Sequence, residues 1–228
     1  MKTLPLDMLT GRYSFLLIAT LLLFVFEPLV ATQPETPLGL TSLTFLVFVG
    51  SLRAIWSDRT LLLLIGLCGS TFVALEAAAP ISENGLPILT DVAGVIFLTL
   101  VSWGILTDIF SRNEVEADTV FGASAVYLLI GFLFARLFML IAHIDPEAFA
   151  VSDAIGVELA EASHRGSSIL RYFSLITLTT VGYGDIAPVA PIARNLAAVE
   201  AVIGQLYIAA VIARLVAIYT TKTARPPQ

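Results

Sequence analysis

Thr179-Thr180-Val181-Gly182-Tyr183-Gly184-Asp185 is the stretch on which the reading of this chain turns. It sets two glycines two residues apart, behind three β-branched residues. A short apolar run, 169–178, precedes it, and a longer one, 192–219, follows. A turn rich in threonine and glycine is ordinarily a surface loop. Here the flanking runs carry it to membrane depth, where non-helical backbone survives only if it is buried in protein or lines an aqueous cavity.

The rest of the composition fits that setting. Of 228 residues, 57% are hydrophobic and 13% charged, and the mean hydropathy is +0.92. A soluble domain carries about 25% charged residues, so this chain cannot cover a water-facing surface and is expected to cross a membrane several times. Cys68, the single cysteine, rules out an intrachain disulfide and reads as a packing residue. With His143 and His164 as the only histidines, no metal-site spacing is present.

Six stretches are long and apolar enough to span lipid: 13–30, 38–56, 60–79, 87–110, 119–143 and 192–219. Lys2 and Arg12 before the first also suit a signal peptide. With Leu29 two residues before Ala31 there is no small-x-small cleavage site, so the span is expected to be retained. The expected fold class is an all-α membrane protein of six transmembrane helices, with a re-entrant helix and loop between the fifth and sixth. Residues 1–115 are expected to form a four-span domain, and 116–228 a second domain that holds the last two spans and the re-entrant element.

Orientation follows the basic residues. Lys2, Arg12, Arg53, Arg59, Arg112, Lys222 and Arg225 fall on one side if both termini are cytoplasmic. The opposite side collects Glu35, Glu83, Asp145, Glu147, Asp153, Glu158 and Glu161, with fewer cations in Arg165, Arg171 and Arg194. Trp56 and Trp103 fall toward cytoplasmic span ends. The expected location is the cell (plasma or inner) membrane.

Thr179–Asp185 resembles the signature of the tetrameric pore-loop potassium channels. The similarity runs from Ser168 through Gly204 to Gln205-Leu206-Tyr207, and extends to the first four spans only in layout. It implies a selectivity filter in which Thr180, Val181, Gly182, Tyr183 and Gly184 line the ion path, with potassium at Thr180, Val181, Gly182 and Tyr183. Thr179, Asp185, Tyr172 and Phe173 support it, the last two standing where relatives often carry tryptophan. Relatives brace the filter tyrosine, here Tyr183, with those rings. Phe173 has no donor and braces only by packing, while Tyr172 can donate to Asp185. Ile176 stands where some relatives place an acid.

Physical reasoning agrees with that resemblance. Rings of backbone carbonyls can replace the hydration shell of a potassium ion without a fixed charge that would hold it too tightly. Aligning successive carbonyls requires left-handed backbone, which Gly182 and Gly184 adopt cheaply. Ser167 or Ser168 is expected to cap the short helix, whose C-terminal dipole then favours a cation.

Gly204 is open to two readings, a hinge in the last span or a close-packing glycine. By the resemblance, Gln205, Ile208, Ile212 and Val216 face the cavity and lower gate. Arg136 and Glu200 lie inside spans at about 10 Å depth and are expected to form an intramembrane ion pair, with Arg136 snorkelling outward and Glu200 neutral as the alternative. Glu27, Glu76, Asp91, Asp108 and Arg214 are placed nearer span ends. The acidic linker 145–161 is read either as a cation-concentrating vestibule or as a solvated turret.

Voltage sensing needs several charges that move through the field, and the fourth span contains no Lys or Arg. Little intrinsic voltage dependence is expected. The short tail suggests a leak-like pore, gating at the filter, lipid or tension sensing, or a separate regulatory subunit. A homotetramer conducting potassium passively is therefore the expectation, with three further copies and lipid as partners, and neither nucleic acid nor a cofactor. Rival readings are a weakly selective cation channel, a potassium transporter, which needs four pore loops in one chain, or a non-conducting accessory membrane protein. No nucleophile–base pair, phosphate loop or metal cluster suggests an enzyme, and no catalytic residue is assigned.

Overall fold

A computed structural model describes residues 11–31, 37–55, 58–78, 86–111, 116–152 and 164–223. These form seven helices: α1 (Arg12–Ala31), α2 (Pro37–Ala54), α3 (Arg59–Ala78), α4 (Leu86–Ser111), α5 (Ala117–Ile144), α6 (His164–Leu178) and α7 (Pro191–Thr223). Local chemistry sets several starts. Proline opens α2 and α7, where its missing N–H costs nothing. Asp58 caps α3, its Oδ1 accepting from the amides of Thr60 and Leu61 at 3.0 and 3.2 Å.

Four helices are long and apolar enough to cross a membrane over Arg59–Ala78, Leu86–Ser111, Ala117–Ile144 and Pro191–Val211. Shorter apolar stretches occur at Arg12–Phe26, Thr41–Ala54 and Ser168–Leu178. Helix α6 begins at His164, so Ser168 lies inside it and neither Ser167 nor Ser168 is its cap. The polar turn before Ile169 carries no apolar periodicity to mark it as helix. Trp56, Glu35, Glu83, Asp153, Glu158 and Glu161 lie outside the described residues.

The all-α expectation has one exception. β1 (Phe149–Val151) and β2 (Ile186–Pro188) pair antiparallel, Phe149 opposite Pro188 and Val151 opposite Ile186. Backbone bonds extend the ribbon at both ends, from Ser152 N to Asp185 O at 2.8 Å and from Val189 N to Ala148 O at 2.7 Å. The start of the acidic linker is thereby tied to the chain just after the 179–185 loop.

Helices α1 to α4 pack in sequence order, and α1 and α4 also pack on α5, which in turn holds α6. The larger core gathers Tyr13, Leu16, Ile65, Phe72, Phe97, Val101, Val126 and Leu129, all at most 3% exposed. Close approach is built in at Gly69, where a Cβ would lie 2.4 Å from the Phe48 ring. One end of the bundle is stitched by polar groups. The amides of Arg12, Tyr13 and Ser14 donate to the Asp118 carboxylate at 3.2, 3.0 and 3.2 Å, so the first turn of α5 caps α1. Arg12 Nη2 donates to Ala54 O at 2.8 Å, and Tyr13 Oη donates to Asp108.

Arg136 corrects an expectation. Its guanidinium donates to Glu76 on α3 at 2.8 Å and to Asp91 on α4 at 3.0 Å, and lies 4.9 Å over the Phe72 ring. His143 Nδ1 stands 3.2 Å from the second Asp91 oxygen. The pairing with Glu200 is not formed, because Arg136 faces α3 and α4 whereas Glu200 faces α6. Asp91, placed near water by its position in the span, is 2% exposed. Truncating Arg136 leaves two buried carboxylates without their cation. Arg136→Ala is expected to cost about 3–5 kcal/mol of stability in detergent-resolved unfolding. In double-mutant cycles it couples to Asp91→Ala, while its loss and that of Glu200→Ala add.

Candidate functional site

The 179–185 loop leaves α6 with its backbone alternating in hand. Thr180 has φ 58°, Gly182 φ 50° and Gly184 φ 80°, while Val181 and Tyr183 keep negative φ. Such alternation brings successive carbonyls to one side of the strand. At both glycines a Cβ would meet nothing within 4 Å, so conformation and not space demands glycine there. Thr180 is the surprise, since a β-branched residue at positive φ is strained by roughly 1–3 kcal/mol.

What holds this shape is the end of α6. The Ile176 carbonyl accepts from Val181 N at 2.8 Å and Gly182 N at 3.2 Å, and Thr177 O accepts from Thr180 N at 2.9 Å. Thr179 Oγ1 turns back to Leu175 O at 2.7 Å. Behind the loop, Tyr172 Oη donates to Asp185 Oδ2 at 2.8 Å, and Asp185 Oδ1 accepts the Ile186 amide at 3.0 Å. Phe173 is buried edge-on against Phe138 at 5.0 Å and Phe149 at 5.6 Å. Its aromatic partners among the described residues therefore belong to α5 and β1. Tyr183 is 73% and Val181 52% exposed in the single chain.

Helix α7 runs beneath the loop. Gly204 lies against the last α6 carbonyl, where a Cβ would sit 2.4 Å from Leu178 O. That contact alone requires a residue without a side chain, which supplies the packing reading. Tyr127 Oη donates to the same carbonyl at 3.1 Å, and Tyr207 Oη to Ala123 O at 2.7 Å. Gln205 reaches Thr180 Oγ1 at 3.5 Å, and Gln205 and Ile208 are exposed in the single chain. Ile212 and Val216 lie in α7, with their side chains outside the described residues. Lower down, Arg214 donates to Ile109 O at 3.2 Å and Phe110 O at 2.9 Å, the terminal carbonyls of α4. A cation there meets the negative end of the helix dipole.

Glu200 is fully buried where α5, α6 and α7 meet. Ser174 Oγ bonds one of its oxygens and also lies 2.6 Å from Gly131 O. Sequence reasoning passed over Ser174, Tyr127 and the Glu76–Asp91 pair. The available signal was a lone arginine in one apolar helix together with acids in two others. Gly204→Ala forces its methyl into a backbone oxygen, not a flexible side chain. Its expected cost is about 1–3 kcal/mol, measured by denaturant unfolding in detergent, with Ala198→Gly as an exposed helix control at roughly 1 kcal/mol.

No match was found among curated proteins or solved structures. Residues 148–221 match a family model described as "Ion channel". That stretch takes in the ribbon, the Glu200 site, the alternating loop and most of α7. Through it, this helical membrane protein resembles the ion channels of that family.

Proposed function

We propose that the chain is the subunit of a potassium-selective channel, in which four copies place their 179–185 loops around one axis. The observation that carries the reading is the left-handed backbone at Thr180, Gly182 and Gly184 in turn, on a Thr-Val-Gly-Tyr-Gly sequence. Four such strands offer stacked carbonyl rings from Thr180, Val181, Gly182 and Tyr183, and the Thr180 hydroxyl adds the innermost ring. Potassium enters as the permeant ion, not as a resident cofactor. Selectivity over sodium arises from the size or field of these rings.

Helix lengths support the arrangement. The 15 residues of α6 reach about 22 Å, short of a hydrocarbon core of roughly 30 Å, which suits a re-entrant helix. Its C-terminal end then points at the ion path. The remaining six helices serve as the six spans, with both termini cytoplasmic in a cell membrane. The single chain leaves the loop exposed beside an apolar face of α7 that includes Val202 and Leu206, 57% and 64% exposed, a surface that neighbouring copies and lipid would cover.

Helix α4 carries Asp91 and Asp108 and no basic residue. Each elementary charge moved through 100 mV is worth roughly 2.3 kcal/mol, and a buried pair such as Arg136–Asp91 ties α4 to α5. Weak voltage dependence follows.

Purified protein in liposomes tests the reading. Rubidium uptake driven by a potassium gradient is expected, with a reversal potential that follows potassium and not sodium. Gly182→Val places a β-branched side chain at positive φ and is expected to abolish uptake while the four-copy assembly persists in mass measurements. Sodium-following potentials would favour the weakly selective alternative, and absence of any flux the accessory role. In bilayer recordings, open probability is expected to change only slightly across 200 mV. A steep curve would refute a non-sensing α4.

A further inference from the structure

Glu200 is 0% exposed and has no ion-pair partner among the described residues; Arg136, the partner expected for it, is committed to Glu76 and Asp91. Its polar contact among the described residues is Ser174, which projects from the middle of α6. Ser174 Oγ is also 2.6 Å from the Gly131 carbonyl of α5.

The proton count at this junction is informative. A serine hydroxyl has one proton to give and two lone pairs to receive with. Gly131 O can only accept. If the Ser174 proton serves that carbonyl, the contact with Glu200 is a hydrogen bond only when Glu200 is the donor. A carboxylate in its place would confront the lone pairs of Ser174, in a buried site where no described residue forms an ion pair with it and an isolated charge is most costly.

We propose that Glu200 is a positioning residue for the filter: as a neutral carboxylic acid it donates to Ser174, which donates to Gly131, and this relay fixes α6 between α5 and α7. The inference rests on the channel reading for its functional consequence, but the relay itself does not. Its importance lies in what α6 holds. The carbonyls of Ile176 and Thr177, less than one turn beyond Ser174, anchor the amides of Thr180, Val181 and Gly182. A rotation of α6 about its axis would therefore be passed directly to the ion path. The other groups at the junction are consistent with a neutral site. Tyr127 is the ionisable neighbour contributed by α5. Arg171, the basic residue of α6 nearest Ser174 in sequence, lies 5.5 Å over the Phe132 ring.

The experiment compares Glu200→Gln, Glu200→Ala and Ser174→Ala with the wild type in rubidium uptake and in potassium-to-sodium permeability ratio, each first checked for tetramer by mass. An amide donates to Ser174 as the acid does, so Glu200→Gln is expected to stay within about twofold of wild type. Glu200→Ala and Ser174→Ala each break the relay and are expected to lose roughly tenfold in uptake or permeability ratio, in line with an unmade buried hydrogen bond. Glu200→Gln as impaired as Glu200→Ala would mean the residue acts as an anion, and would overturn the proposal. Equal function of all three variants and wild type would overturn it as well. Infrared spectroscopy supplies a readout independent of conduction. The wild-type minus Glu200→Gln difference spectrum is expected to contain the carbonyl stretch of a protonated carboxyl, and its absence refutes the neutral acid even in an assembly that conducts nothing. Lack of flux in the wild type, with that band present, would instead remove the channel reading and leave the relay standing.

Discussion

A backbone that turns left-handed at every second residue cannot stabilise itself. It closes neither helix nor sheet ladder, and at Thr180 it holds a β-branched residue where steric repulsion opposes it. The loop keeps this shape because its amides bond the final carbonyls of α6, carbonyls that a helix end leaves without internal partners. Helix termination and loop conformation are thus one interaction seen from two sides. Everything packed on α6 serves it: Tyr127 and Gly204 at Leu178 O, Ser174 at the centre, and Phe173 within the Phe138–Phe149 cluster. Asp185, held by Tyr172, fixes the other end of the strand.

Charge placement in the four-helix part inverts what a moving sensor needs. The cation stands on α5 and the acids on α3 and α4, and the contact is buried under Phe72. Burial makes the pair costly to separate, since breaking it strands charge in a medium of low polarity. The same medium gives the contact little net stability relative to an apolar seam of equal shape. Its value lies in register: only one relative position of α3, α4 and α5 satisfies the guanidinium. Asp118 does the same for α1, capping its first turn from across the bundle.

Much of this was legible in the sequence, for identifiable reasons. Apolar blocks set the lengths of α1 to α5 within about three residues, because lipid thickness and helical rise leave little freedom. The 179–185 loop was legible because glycine spacing encodes backbone handedness. Thr180 was not, since its side chain predicts β-region backbone and only the surrounding bonds override it. The ribbon was invisible: three-residue strands distant in sequence carry no period. Depth along a helix could be counted, so Arg136 and Glu200 were seen to lie at one level. Azimuth could not, and two residues at one level turned out to face different neighbours. Asp91 shows the converse error, a residue near a helix end that the bundle nonetheless covers.

Two of the points at which helix α7 bears on the rest of the subunit differ in kind. At Gly204 its bare backbone bears on Leu178 O, and ten residues further, about 15 Å along the axis, Arg214 grips the end of α4. In the proposed channel the first point would serve as a fulcrum and the second as the loaded arm of a lever. Splaying the lower half of α7 would pull on α4 while rocking the upper half against the carbonyl that terminates α6. In the channel proposed above, constriction at the lower end and fine adjustment of the loop would therefore be mechanically in series, and a force applied at either would be felt at the other.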